Sequence, residues 1–233
     1  MSLVYDRPVM AGPDDLDGLL AEQIGYYRAR APHYLDEALT GLAVEAAGQE
    51  LEDALEAFAP TGDVLELACG PGTWTSQLLR HASSVTVLDA SPEMLEIART
   101  RVIDHRVRFI QADIFKWWPD RRYDVVFFGF WLSHVPPERF GWFWALVADC
   151  LAPGGRVFFA DDAYRTPDEL VEGAVVRRRL SDGSRHRLVK TPHDPASLRA
   201  RLTELGWDIE VRQTSAWHAD TSGFYWGSGV RGA

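Results

Sequence analysis

The stretch ELACGPGTWT, residues 66–75, sets Gly70 and Gly72 around Pro71 directly after an apolar run. Glycines adopt backbone conformations that a β-carbon forbids, and they let a ligand come close to the chain. Glu66 lies just ahead of this turn. A carboxylate there opposes a pyrophosphate; it suits hydrogen bonds within the turn or a nearby cationic ligand. Asp89 follows Gly72 by 17 residues and ends a second apolar run, SVTVLD. That spacing suits an acidic side chain that accepts from both ribose hydroxyls of a nucleoside. His134 stands in FWLSHVP, just past a further run, YDVVFFGF. Imidazole is the side chain best poised to take a proton near neutral pH, which makes His134 the candidate general base.

Such groups need elements to hold them, and strand-like runs alternate with helix-like runs around them. The order is DVLELA (63–68), a helix from about Thr73 to Arg80, SVTVLD (84–89), and the helix SPEMLEIARTRV, with Ser91 as cap and Pro92 in its first turn. It continues with RVRFIQAD (106–113), YDVVFFGF (123–130), a helix from about Pro137 to Leu151, and GRVFFADD (155–162). This alternation means a parallel sheet with helices on both faces. Ligands of such sheets bind at the carboxyl ends of the strands, where strand order reverses.

Upstream, Leu16, Leu19, Leu20, Ile24 and Tyr27 share helical spacing, with Pro32 as the stop, and QELEDALEAFAP sets Leu51, Leu55 and Phe58 on one helix face. Downstream, AVVRRRLSDGSRHRLVK reads as a hairpin around Asp182-Gly183, and DPASLRARLTEL as a helix closed by Gly206. WDIEVRQTSAW and GFYWGSGV read as two last strands. The expected organisation is a single domain: a helical cap over 1–60 on an α/β core over 61–233, with a hairpin insertion near 174–190.

Composition narrows the function classes. A net charge of −10 disfavours nucleic acid and anionic membrane as general partners. The longest apolar run, Val125 to Leu132, is far short of the roughly 20 residues of a membrane helix. The first residues carry neither a basic head nor an apolar signal core, and Cys69 and Cys150 make no disulfide framework. A cytoplasmic protein is expected, a monomer or homodimer without nucleic-acid or membrane partners. Its 9 tryptophans suit an apolar pocket for a small molecule.

Two ligand families use a glycine turn with a downstream acid. A dinucleotide fingerprint wants a third glycine where this chain has Thr75, or Thr73 in the alternative frame. VLELACGPGTWT, VTVLDAS, IQADIF, YDVVFFGFWLSHVP and LAPGGRVFFADD, in that order and spacing, resemble the class I S-adenosylmethionine-dependent methyltransferases. The resemblance is strong over about residues 30–162 and looser elsewhere. It implies a Rossmann-like, mostly parallel seven-stranded sheet whose last strand is antiparallel, helices on both faces and an N-terminal helical lid.

The resemblance also implies S-adenosyl-L-methionine as cofactor. Its methionine half would meet the turn, Glu66, Ala68, Gly70, Gly72 and Thr73, and its ribose would meet Asp89 and Ala90. Asp113 would meet the adenine amino group, with Ile114 beside it and Met94 against the ring. Tyr27, Tyr34 and Phe130 would complete the cofactor site; Tyr26, Arg30, Trp131 and Arg179 are the candidates for substrate contact. No metal is expected, because GFWLSHVP brings no carboxylate after the fourth strand and the adjacent Asp161 and Asp162 point to opposite faces. The expected reaction is methyl transfer to a small molecule, foremost to oxygen of an aromatic or lipophilic metabolite. Transfer to nitrogen, carbon or sulfur, a nicotinamide-dependent oxidoreductase, and a non-catalytic cofactor-binding protein are the alternatives.

Overall fold

The computed structural model describes residues 16–35, 42–162, 175–215 and 223–232. Parts of the expected cap (1–15 and 36–41), of the hairpin insertion (174) and of WDIEVRQTSAW (216 and 217) lie outside the described residues. The chain begins with helices Leu16–Arg30 (α1) and Leu42–Phe58 (α2). Then come strand Gly62–Leu67 (β1), a short helix Thr75–Leu78 (α3), strand Ala82–Asp89 (β2), helix Pro92–Arg101 (α4) and strand Val107–Gln111 (β3). Strand Tyr123–Gly129 (β4), helix Phe140–Cys150 (α5) and strand Leu151–Asp162 (β5) follow. Hairpin strands Val175–Arg179 (β6) and Arg185–Val189 (β7), helix Pro195–Glu204 (α6), and strands Trp207–Gln213 (β8) and Phe224–Arg231 (β9) complete the order.

Seven strands form one sheet in the order β3-β2-β1-β4-β5-β9-β8, and β6 and β7 form a separate pair. β1 to β5 are mutually parallel; β9 runs antiparallel to both neighbours, β5 and β8. Strand order reverses between β1 and β4, so the crevice expected for a ligand opens at their carboxyl ends. Alternation of side chains gives the sheet two apolar faces. Leu65, Leu67, Val126, Phe128, Val157 and Phe159 pack against Phe143, Trp144 and Val147 of α5 and Leu198 and Leu202 of α6. Val64, Val85, Val87, Val125, Phe127 and Phe158 pack with Leu55 of α2 and Leu78 of α3.

Two helices are shorter than their sequence spacing predicts. Of the helix expected over about Thr73 to Arg80, only Thr75–Leu78 is α-helical. The glycine turn consumes its start, with Gly72 N–H donating to Cys69 O, and tighter bonds close its end, Arg80 N–H to Gln77 O and His81 N–H to Leu78 O. The helix expected from Pro137 opens as a 3₁₀ turn, Pro137–Arg139, before α5 begins.

The cap expected at Ser91 forms, its Oγ accepting from Met94 N–H at 3.1 Å at the head of α4; at the head of α6 the structure adds a second, Asp194 accepting from Ser197 N–H at 2.8 Å. Gly183 sits in the hairpin turn at φ +89°, a conformation that favours glycine.

Candidate functional site

The residues just past β1 and β4 carry unusual backbone. Ala68 and Phe130 have φ of +53° and +56°, a left-handed conformation costly for residues with a β-carbon. Both line a cavity of about 750 Å³, counting its open mouth, at the switch point of the sheet. Gly70, at φ +54°, also lines it, and nothing stands within 4 Å of the position a Gly70 β-carbon would take. Gly72 differs. At φ +74°, its β-carbon would come within 3.2 Å of Ala98 Cβ and Val102 Cγ2, so this glycine lets α4 pack closely and does not line the cavity.

Asp89 ties the turn to the next helix. Its Oδ2 accepts from Gly70 N–H and its Oδ1 from Ser91 N–H, both at 2.8 Å. A carboxylate has about four acceptor sites, so Asp89 keeps acceptor capacity for a ligand hydroxyl. Burial pushes its pKa up, and the backbone donors pull against that rise. Glu66 lies beneath the turn, 1% exposed, and its Oε2 accepts from Thr75 Oγ1–H at 2.6 Å. Burial, with Asp89 nearby, raises its pKa to about 8. Met94, Asp113 and Ile114 line the cavity beyond Asp89, and Asp113 holds the following turn by accepting from Phe115 N–H at 3.0 Å.

The opposite end is lined by α1 and by the turn carrying His134, and β7 backs that turn. His134 Nδ1 is 2.7 Å from Val189 O, and its Nε2 is 2.8 Å from Tyr27 Oη. A carbonyl only accepts, so the partner types assign the proton to Nδ1. Nε2 then accepts from the Tyr27 hydroxyl. Burial, helped by the nearby cations Lys190 and Arg178, lowers the His134 pKa to about 3. This imidazole is therefore neutral at physiological pH. Gln23 completes the join: its Nε2–H donates to His134 O at 3.3 Å, and its Oε1 accepts from Val189 N–H at 2.9 Å.

Tyr27, Tyr34, Ala68, Gly70, Asp89, Ala90, Met94, Asp113, Ile114, Phe130, Trp131 and His134 all line this cavity. Glu66, Gly72, Thr73, Tyr26, Arg30 and Arg179 do not. Thr73 Oγ1 meets the Arg101 guanidinium at 3.4 Å, and Tyr26 is buried edge-on to Tyr27 and His186. Arg30 lies over the Tyr34 ring, 4.6 Å from its centre. Arg179 is an exposed residue at the hairpin end, beside Gly183. Sequence reasoning missed Leu20, Gln23, Ile24, Ser91, Phe115 and Gly129 in the lining. A signal existed for α1, since Leu20, Gln23, Ile24 and Tyr27 recur at the one-face spacing of a helix. Among the described residues, no cluster of three or more His, Cys, Asp or Glu could hold a metal, and no helix is long and apolar enough to cross a membrane.

Known proteins resemble this chain in sequence and fold. A methyltransferase-domain family profile matches residues 64–155. Trans-aconitate 2-methyltransferase of Enterobacter sp. (strain 638) is 29% identical over 171 residues, which are 71% of this chain and 64% of that enzyme. The Escherichia fergusonii enzyme of the same name is 30% identical over 161 residues, 66% of this chain and 60% of its own length. The chain thus spans less than two thirds of these relatives. The DhpI–SAH complex superposes with a TM-score of 0.80 at 40% identity, covering 93% of this chain and 98% of DhpI. The DhpI–SAM–HEP complex also gives 0.80 at 40% identity, over 91% and 97%. The Burkholderia thailandensis 1,6-didemethyltoxoflavin-N1-methyltransferase, with a TM-score of 0.67 at 17% identity over 99% and 95% of the two chains, shares the fold alone.

Proposed function

This chain belongs to the class I S-adenosylmethionine-dependent methyltransferases, and we propose that it transfers a methyl group to an oxygen of a small organic acid. The cavity suits the family's cofactor. The space over Gly70 is open, and Asp89 keeps acceptor capacity for a ligand hydroxyl. On this reading Asp89 takes the ribose hydroxyls, while Asp113, Ile114 and Met94 receive the adenine. The turn from Ala68 to Gly70, with Tyr34 above it, receives the methionine portion. The bound cofactor supplies an electrophilic sulfonium methyl.

The observation that carries the acceptor assignment is the state of His134. With a pKa of about 3 it is a poor base; burial is the main cause, Lys190 and Arg178 add to it, and Asp162, paired with Lys190, pulls the other way. An acceptor already ionised as a carboxylate or similar oxyanion needs no base. It needs to be held in line and kept dry, which orientation alone can reward by roughly 7–11 kcal/mol. His134 then orders this end through Tyr27 and Val189 and does not take a proton. The apolar lining of Leu20, Ile24, Phe115 and Trp131 suits a lipophilic or aromatic body on the acid. The name of the trans-aconitate enzymes supports an acid acceptor.

The test is kcat against pH from 5 to 8 with a carboxylic-acid acceptor. The expected profile is flat across about 6.5, the ordinary histidine value. A limb near 6.5 that His134→Ala abolishes would return this side chain to the role of base.

A further inference from the structure

Behind the His134 turn lies a charged cluster that the proposed reaction does not use directly. Asp161, at the end of β5, is fully buried. It accepts three hydrogen bonds: from Ser133 N–H at 2.7 Å, from Ser133 Oγ–H at 2.8 Å and from Asp162 N–H at 2.7 Å. Lys190, just past β7, donates from Nζ to Ser133 Oγ at 2.8 Å and to Asp162 Oδ2, and stands 3.9 Å from Asp161 Oδ1. Thr191 N–H donates to Ser133 O at 2.7 Å. Ser133 is thus bound at its backbone N–H, hydroxyl and carbonyl, and the next residue is His134.

Stability alone gives little reason to keep this cluster. Burying a carboxylate and an ammonium costs several kcal/mol per ion, and well-packed apolar residues often serve a fold as well or better. What the charges provide is location. Three segments distant in sequence meet here: the end of β5, the turn after β4 and the exit of β7. Asp161 joins the first two directly and reaches the third through Lys190.

We infer that Asp161 is the positioning residue of the acceptor end: through Ser133 and Lys190 it fixes the turn that carries His134 against the exit of β7. Its catalytic consequence rests on the methyltransferase reading proposed above; its structural consequence does not.

The experiment pairs Asp161→Asn with Ser133→Ala, and uses Asp149→Asn on the exposed side of α5 as control. Imidazole nitrogen NMR of the unmodified protein should show His134 as a single neutral tautomer with the proton on Nδ1. In both test variants the His134 signals should shift or broaden as the single arrangement is lost, and the control should leave them in place. S-adenosylmethionine affinity by calorimetry should stay within about threefold in all three, because the cofactor end is built separately. With trans-aconitate as probe acid, kcat/KM should fall at least tenfold in the test variants, with KM rising as well as kcat falling. If the wild type transfers no methyl to the probe, the NMR result still decides the positioning role while the acid assignment fails. If Asp161→Asn does not fold, Ser133→Ala carries the same readouts. Folded variants with unmoved His134 signals would overturn the inference.

Discussion

The two ends of the cavity are built over different distances along the chain. At the cofactor end, Asp89 accepts from residues 19 and 2 positions away, Thr75 reaches Glu66 over 9, and Ser91 caps over 3. At the acceptor end, Tyr27 and His134 are 107 residues apart, Gln23 and Val189 166, His134 and Val189 55, and Ser133 and Asp161 28. The hydrogen bonds of the first end lie within the single segment from β1 to the head of α4. The second exists only once α1, the β6–β7 hairpin and the sheet have docked together. Changes at the first should therefore act on cofactor affinity, and changes at the second on turnover of the acceptor.

The largest effect expected from breaking this division is at Asp89. On the proposed reading, Asp89→Ala removes the charged acceptor for the ribose hydroxyls, each worth about 1.5–3 kcal/mol. Calorimetry should show S-adenosylmethionine affinity at least about 100-fold weaker. Tyr27→Phe, which strips the hydroxyl from His134 at the other end, should leave that affinity within about threefold and lower turnover instead. A Tyr27→Phe protein that lost the cofactor as badly as Asp89→Ala would erase the distinction.

The two glycines sharpen it next. Gly72→Val forces a β-carbon into Ala98 and Val102 at a positive φ, so denaturant melts should show a loss of about 2–4 kcal/mol. Gly70→Val meets no neighbour and should cost less stability, yet weaken the cofactor more. Equal effects of the two on binding would make the turn one undivided loop.

The last effect, at Glu66, is on how stability depends on pH. Its pKa in the fold, about 8, lies above the ordinary carboxylate value, so the native state holds a proton that the unfolded chain releases. Stability should fall as pH rises from about 4.5 towards 8, by at most ~1.4 kcal/mol per pH unit. Glu66→Gln should remove that slope and change little at pH 5. A variant melt that kept the wild-type slope would place the ionisation elsewhere.

The same contrast explains what could be read from the residues alone. The turn, Asp89, the Ser91 cap and the alternating strands are short patterns whose residue types carry their own geometry, and the sheet follows from them. The acceptor end offers no such pattern. His134 is conspicuous in sequence, but its low pKa comes first from burial, with help from Lys190 and Arg178, and both depend on elements distant in the chain. Asp161 reads as one of a pair on a strand, and nothing nearby in sequence reveals that Ser133 covers it. Gly72 looks like a ligand contact by its place in the motif, whereas the packing of α4 decides its role. Arg179, marked by its charge, sits on the exposed alternation of β6, while Arg178 next to it faces the opposite side of the strand.

The most direct measurement follows a labelled methyl group from S-adenosylmethionine into a panel of small carboxylic acids, including trans-aconitate, with matched alcohols, phenols and amines. The account predicts label in the acids, released as methanol by mild base as expected of an ester. Label confined to amines, to phenols or to neutral alcohols, or cofactor binding with transfer to none of the acids, would contradict it.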